Sequence, residues 1–501
     1  MVCWDCMKRP AKFYYGFGAV VSGSASFEKV WGIPYPEIFV SFGRGNIFWC
    51  WKNEDYFETG ERLIEKFSKK PGFGKEIRQR WLENKTKTIE ILSAIEGKEP
   101  SGFSNEEIAG FMQRLIETEK INVGTGIVWN IFDIVLEAKI KSELEKKISP
   151  EKQKKEYNAT FFALTTPPEM SFATAEEKEL LQIGKRIIEN EEAKELFCGE
   201  TGRIKEELGK VAEINTLIQQ HLKKFFWIHA GYSGGKKMRL DEVLPRLSEL
   251  VKKNVDIGEK IAEIDKREKN HAAEKEKALQ KISPGKEMLL ALKIIEELGF
   301  LHDSKKEMQM RYFCAAEPLL LESAKRLGID SGLVFYLTPC ELAEALKKGK
   351  ADKAELEKRM QKIVIENRAE RIFCGKTAEK KEKAFRESWE RKTENLQEVS
   401  GMSANLGTAF GKARILLSPK ELSQMQQDEI LVTGMTTPDL VPAMQKAAAI
   451  VTDEGGVLCH AAIVSRELGL PCVVGTKNAT KVFKNGEMIE VRANHGIVRK
   501  V

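Results

Sequence analysis

One histidine in this chain stands where a sharp turn and several small residues converge. From Thr452 to Arg466 the sequence reads T-D-E-G-G-V-L-C-H-A-A-I-V-S-R, with His460 behind the glycine pair. The apolar, β-branched run Ala447–Thr452 predicts a buried strand. Gly455-Gly456 predicts a turn, because glycine reaches backbone angles closed to other residues. Beyond His460 the apolar residues Ile463, Val464 and Leu468 recur at helical spacing, and Gly469 with Pro471 ends that helix. His460 is therefore delivered by a glycine turn to a helix N-terminus. Backbone N–H groups there lack helical partners and carry partial positive charge, which favours an anion. Neutral imidazole is a competent nucleophile, and a pKa of about 6.5 leaves it mostly neutral at cellular pH. The chemistry that fits is a transient phosphoryl group on a ring nitrogen of His460. Its oxygens would be bound by the turn and first-turn amides, at Gly455, Gly456, Cys459 and Ala461. Ala461 and Ala462 are small, which would leave room for a donor or acceptor in line. Taken alone, a single histidine behind a turn is more often a hydrogen-bonded structural residue.

The elements that must hold this turn are short. Lys412–Leu417, Glu429–Thr433, Ala448–Thr452, Pro471–Val474 and Met488–Val491 read as strands, with a short helix at Pro438–Ala447. They define a C-terminal α/β domain at residues 396–501. Residues 56–395 are dominated by Lys, Glu, Leu, Ile and Ala, with apolar residues every three or four positions, and read as a helical domain. Ser104 with Glu107 has the pattern of a capping box. A long hairpin arm is expected near residues 244–285, its tip at the charged run Lys266–Lys277. Residues 1–55 read as a small α/β or β region, with Lys12–Ser22 and Glu37–Lys52 strand-like and a turn at residues 43–46. The aromatics Trp4, Tyr14, Tyr15, Trp31, Phe39, Trp49 and Trp51 there are better read as core than as a ligand site. The fold class expected is multidomain α+β: a small N-terminal sheet region, a large helical middle and a C-terminal α/β domain.

The C-terminal segment also resembles a known family. The pattern T-x-x-G-G-x-x-[CST]-H-A-A-I-[IV]-[AS]-R-E-L-G-[IL]-P-x-[VI]-V-G marks the mobile, swivelling phosphohistidine domain of phosphoenolpyruvate-utilising enzymes. It is met by Thr452, Gly455, Gly456, Cys459, His460, Ala461, Ala462, Ile463, Arg466, Glu467, Gly469, Pro471, Val474 and Gly475. The resemblance implies that His460 is the phosphorylated residue, with Thr452 and Arg466 in support. Cys459 stands where the family has Cys, Ser or Thr, a poor position for a catalytic thiol. Thr436, Thr437, Pro438 and Asp439 match the loop before the domain's first helix and are expected to be structural. At the end of the domain, Arg492 replaces the family's Asp.

The same resemblance sets an expectation about what surrounds this domain. Family members pass phosphate between an ATP-grasp domain and a second active site, and residues 1–395 read as neither an ATP-grasp domain nor a repeated strand–helix barrel. Gly231-Tyr-Ser-Gly-Gly-Lys-Lys237 lacks P-loop spacing and reads as an interhelical loop. No cofactor motif or metal site is visible. Mg2+ and ATP or phosphoenolpyruvate are expected on a partner, an ATP-grasp nucleotide-binding protein, with a small-molecule acceptor. The alternative is a non-catalytic regulatory or scaffolding protein that retains a relic phosphohistidine domain.

Composition narrows the remaining classes. The 501 residues carry 81 Lys and Arg against 75 Asp and Glu, a net charge of +6 with the signs interleaved. Neither nucleic acid nor a membrane surface is indicated by that balance. The apolar stretch Ile121–Ala138 holds polar residues and glycines and reads as a buried helix. Without a signal-peptide pattern the expected location is cytoplasmic. Nine cysteines are scattered, with Cys3 and Cys6 the close pair, and ordinary reduced thiols are expected.

Overall fold

The computed structural model describes residues 4–149, 153–166, 169–253, 256–366, 371–389, 397–436, 440–456 and 459–501. Its chain forms two compact units, one built from Tyr14–Tyr35 and Thr59–Leu356, the other from Met1–Phe13, Pro36–Glu58 and Glu357–Val501.

The first unit is helical. The Ser104 hydroxyl accepts the Glu107 N–H at 3.1 Å, and the Glu107 carboxylate accepts the Ser104 N–H at 2.7 Å, which opens the helix Asn105–Gly126 as expected. This helix and its successor, Trp129–Glu145, contain a stretch long and apolar enough to cross a membrane, yet 67% of it is buried inside the protein. Lys12–Ser22, expected as a strand, is helical instead. Phe13–Gly16 and the π-helical Phe17–Ser22 run into the helix Gly23–Trp31. Tyr14, Tyr15, Phe17, Val20 and Val21 are all buried, and a segment buried on every side shows no period by which helix and strand could be told apart. Glycine makes the packing possible. A Cβ on Gly23 would stand 2.2 Å from Val123 Cγ1, and one on Gly124 3.0 Å from Ser26 Cβ, so the two helices cross backbone to backbone.

The stretch expected as a hairpin arm holds two helices, Leu240–Lys252 and Ile257–Ile282, and both pack on the helix Phe172–Glu189. Asp256 caps the second of them, its carboxylate accepting the Glu259 N–H at 2.8 Å. Lys266–Lys277 therefore lies within a continuous helix and is not a tip. A charge run solvates a helix without breaking it, whereas a capping Asp marks where one starts.

The second unit contains two sheets. Strands β1 (Trp4–Pro10), β2 (Ile38–Gly43), β3 (Asn46–Lys52), β4 (Ile363–Glu366) and β5 (Arg371–Cys374) form an antiparallel sheet ordered β1-β3-β2-β4-β5. The β2–β3 hairpin turns at Arg44-Gly45, as the sequence suggests. β4 and β5 fall in the stretch read as helical, because four-residue strands between charged helices leave little pattern. Register places Cys6 opposite Cys50, and the two form a disulfide, which corrects the expectation of a reduced thiol at Cys6. Its partner is distant in sequence and becomes adjacent only through strand pairing. Cys3 lies outside the described residues.

The C-terminal sheet comprises β6 (Glu398–Ser400), β7 (Met402–Asn405), β8 (Thr408–Ile415), β9 (Ile430–Thr433), β10 (Ala449–Thr452), β11 (Cys472–Val474), β12 (Met488–Arg492) and β13 (Ile497–Lys500). Their order is β6-β13-β12-β8-β9-β10-β11-β7. β8 to β11 are parallel to one another, and the outer pairings are antiparallel. The two edge strands β6 and β7 are joined by the single residue Gly401, so the sheet curls back on itself. Its central strands bury both faces. Ile430, Val432, Val451 and Val473 join one apolar cluster, and their neighbours Leu431, Ile450, Cys472 and Val474 join another with Ala461 and Ala462. That explains continuous apolar runs in place of alternation.

Candidate active site

The parallel register sets the site. Thr433 pairs with Thr452, so β9 and β10 end side by side and release their loops at the same edge. Ligands in parallel sheets bind outside the carboxyl ends of the strands. The β9 loop runs through Gly434 and Met435 to Thr436; Thr437, Pro438 and Asp439 lie outside the described residues. The β10 loop runs through the glycine turn to the helix His460–Glu467. The two loops meet. Thr436 Oγ1 lies 2.8 Å from His460 Nδ1, and Thr436 is buried while His460 is half-buried. Thr436 is thus more than a loop residue: it orients the imidazole. The sequence contains a signal for this only if β9 and β10 are known to be adjacent and parallel.

The turn is pinned on both sides. Thr452 is fully buried, its hydroxyl donates to the Glu454 carbonyl at 2.6 Å, and its own carbonyl accepts the Thr476 N–H at 3.0 Å. Asp453 accepts from the Thr480 N–H at 3.1 Å and from the hydroxyls of Thr476 and Thr480, a clamp that sequence reasoning missed. Burial raises the Asp453 carboxyl, while the Thr480 and Thr476 hydrogen bonds oppose that rise. Gly455 has φ +102°, and a Cβ there would stand 2.7 Å from Cys459 Sγ. Only glycine fits. The Gly456 carbonyl accepts the Cys459 N–H at 3.0 Å, and Val457 and Leu458 between them lie outside the described residues.

Cys459 is the N-cap and makes no side-chain capping hydrogen bond. Burial pushes its thiol up from the ordinary value, although nearby backbone N–H groups and Arg466 oppose the shift. A thiol held protonated is a poor nucleophile. Ala461 and Ala462 are buried in the core beneath the helix, so their small size serves close helix–sheet packing and does not clear a path for substrate. The backbone of Ala461 nevertheless sits in the first helical turn. Arg466 is six residues along from His460, on a different face, and its Nε donates to the Ala462 carbonyl at 2.7 Å. The structure therefore brings Thr436, Gly455, Gly456, Cys459 and His460 together, with Thr452 beneath them and Arg466 turned back onto its own helix.

Residues 425–496 match the family model described as PEP-utilising enzyme, mobile domain. This part of the chain is a PEP-utilising enzyme mobile domain. It carries sequence similarity to phosphoenolpyruvate synthases. The "Probable phosphoenolpyruvate synthase" of Archaeoglobus fulgidus is 53% identical over 122 residues, 24% of this chain and 16% of that protein. The phosphoenolpyruvate synthase of Pyrococcus furiosus is 49% identical over 120 residues, 24% of this chain and 15% of that protein. That of Aquifex aeolicus is 52% identical over 107 residues, 21% of this chain and 12% of that protein. These matches thus span less than one sixth of the relatives' length. A solved structure, the holo-form of Thermococcus kodakaraensis aconitase X, is similar over 21% of this chain and 98% of that one, with 19% identity and a TM-score of 0.17.

Proposed function

We propose that the protein is a phosphotransferase component in which His460 of the mobile domain is transiently phosphorylated. It relays the group from ATP or phosphoenolpyruvate, bound on a partner chain, to an acceptor. The observation that carries the reading is the Thr436–His460 contact at a helix N-terminus within the matched domain. For Nε2 to attack phosphorus its lone pair must be available, so Nδ1 must carry the ring proton and donate it to Thr436 Oγ1. The lone pair of Nε2 then forms a bond to phosphorus while the bond from phosphorus to the donor's bridging oxygen breaks, and that oxygen leaves with the electron pair. In the return step an acceptor oxygen attacks phosphorus, the N–P bond breaks and its electrons go back to the ring. The helix N-terminus and the Gly455-Gly456 turn offer backbone N–H groups to the phosphoryl oxygens in both steps.

The partner is proposed because the stretches matched by these phosphoenolpyruvate synthases cover about a quarter of this chain and less than one sixth of their own length. The expected partner is an ATP-grasp nucleotide-binding protein. Mg2+ would accompany the donor's phosphates there; among the described residues no three His, Cys, Asp or Glu side chains gather to hold a metal ion. Incubation with labelled ATP or phosphoenolpyruvate, with and without an ATP-grasp partner, tests the reading. Acid-labile label should appear on wild type and be missing from His460→Ala. A wild type that takes no label from any donor or partner overturns it.

A further inference from the structure

A second place in the same unit gathers basic side chains around a concavity. Over one face of the N-terminal sheet lies a cavity of about 1010 Å³. That is at the upper end of the volumes that hold drug-sized ligands. Its floor is Ser41 on β2 and Phe48 on β3, cross-strand neighbours, and its wall is the helix Gly375–Trp389. Glu382 projects from that helix to the floor and is buried, accepting a hydrogen bond from the Ser41 hydroxyl at 2.6 Å. Lys362 and Arg386 both pair with it, Arg386 at 3.0 Å, and the Arg386 guanidinium lies 3.9 Å from the centre of the Phe48 ring.

Lys362 and Arg386 both engage this one carboxylate, which fixes two cationic groups on the floor. The rim adds to them. Lys8, Arg44 and Lys383 line the opening with Glu379 and Glu387, and Lys383 is paired with Glu387 at 3.7 Å. Among the described residues no ion pair engages Lys8 or Arg44. Five basic side chains thus face three carboxylates in one concave site. The location bears on the function as well. A Cβ on Gly434 would stand 4.0 Å from the Lys8 carbonyl oxygen, so the loop that leads to Thr436 passes the strand that lines the cavity.

We infer that this cavity binds a phosphorylated small molecule, of the class formed when the acceptor takes the phosphoryl group from His460. The link to His460 rests on the reading in the preceding section; the anion site stands on its own lining. Lys362 and Arg386, already ordered by Glu382, with Arg386 also stacked on Phe48, cost little to organise around a phosphate, and the rim cations lie beside it.

Calorimetric titration of the full chain with phosphoenolpyruvate and with inorganic phosphate tests the site. At least one of the two should bind wild type, and Lys8→Ala/Arg44→Ala should weaken that binding by about tenfold or more, the scale expected for lost charge-assisted contacts. Both side chains are exposed, so the double variant should keep the wild-type melting temperature. His460→Ala should bind as wild type does. Absence of binding to wild type, or an unchanged affinity in the double variant, overturns the inference. Loss of label at His460 with binding intact would remove the phosphohistidine reading and leave the cavity standing.

Discussion

The Thr436 hydroxyl sits 2.8 Å from Nδ1 of His460, joining the loops that follow two adjacent parallel strands. If His460 carries the phosphoryl group, this contact would leave Nε2 as the attacking nitrogen. Thr436→Val removes the hydroxyl while keeping the shape, and should slow phosphorylation of His460 by about tenfold, the worth of one neutral hydrogen bond. Thr436→Ser should stay near wild type. Single-turnover labelling measures both, and equal rates for the valine and serine variants would show that the hydroxyl does not orient the imidazole.

Gly455 should be the least replaceable residue of the turn. Its φ of +102° and the 2.7 Å that would separate an added Cβ from Cys459 Sγ penalise any side chain twice. Gly455→Ala should cost about 2–6 kcal/mol of stability, since strained backbone and overpacking each cost about 1–3 kcal/mol. Gly486 offers a matched control, since its φ is +81° and nothing lies within 4 Å of a Cβ there. Gly486→Ala should cost only about 1 kcal/mol, the left-handed penalty alone. Urea midpoints of the two variants give the comparison, and identical midpoints would refute the steric argument.

What the sequence made legible follows from how local each feature is. Ser104 and Glu107 are three residues apart and specify their cap without help from the rest of the fold. The Gly455-Gly456 turn and the helix after it are equally local, so His460 stood out at once. Thr436 did not, because 24 residues separate it from His460 and only the parallel register of β9 and β10 closes the gap. The Cys6–Cys50 bond escaped for the same reason. Lys12–Ser22 failed differently: Tyr14 and Tyr15 are fully buried, and a run that is apolar on every side has no amphipathic period to read.

Glu119 should make the helical unit weaken as pH rises. It is 1% exposed, Gln309 Nε2 donates to its Oε1 at 3.2 Å, and its Oε2 has no partner among the described residues. Burial pushes its pKa from 4.5 up to about 8, against the smaller opposing effects of Gln309 and Lys305. The folded chain therefore keeps a proton that the unfolded chain has released between those two values. Stability is fully present below the lower value and falls on the way to the higher one, by up to about 1.4 kcal/mol per pH unit. Glu119→Gln replaces the protonated acid with a neutral amide and should flatten that decline. Denaturant unfolding at about pH 5 and about pH 8 reads it, and parallel slopes in the two proteins would exclude Glu119 as the cause.

Cys459 gives the sharpest check on which side chain carries the phosphoryl group. It adjoins His460 at the N-cap, and an activated cysteine at a helix N-terminus would also attack phosphorus. Its surroundings argue the other way. Burial raises the thiol pKa, outweighing the pull of the Ala462 and Ala461 amides and of Arg466, and no side-chain hydrogen bond ties it to the helix end. The thiolate fraction at neutral pH should therefore be small, and iodoacetamide should modify Cys459 slowly in the folded protein. Cys459→Ser keeps a small polar N-cap, and serine is itself a good capping residue. That variant should accept acid-labile label at close to the wild-type level, whereas His460→Ala should accept none. If the label instead vanishes in Cys459→Ser and survives in His460→Ala, the phosphoryl group rides on sulfur, and the role given to the Thr436–His460 pair is wrong.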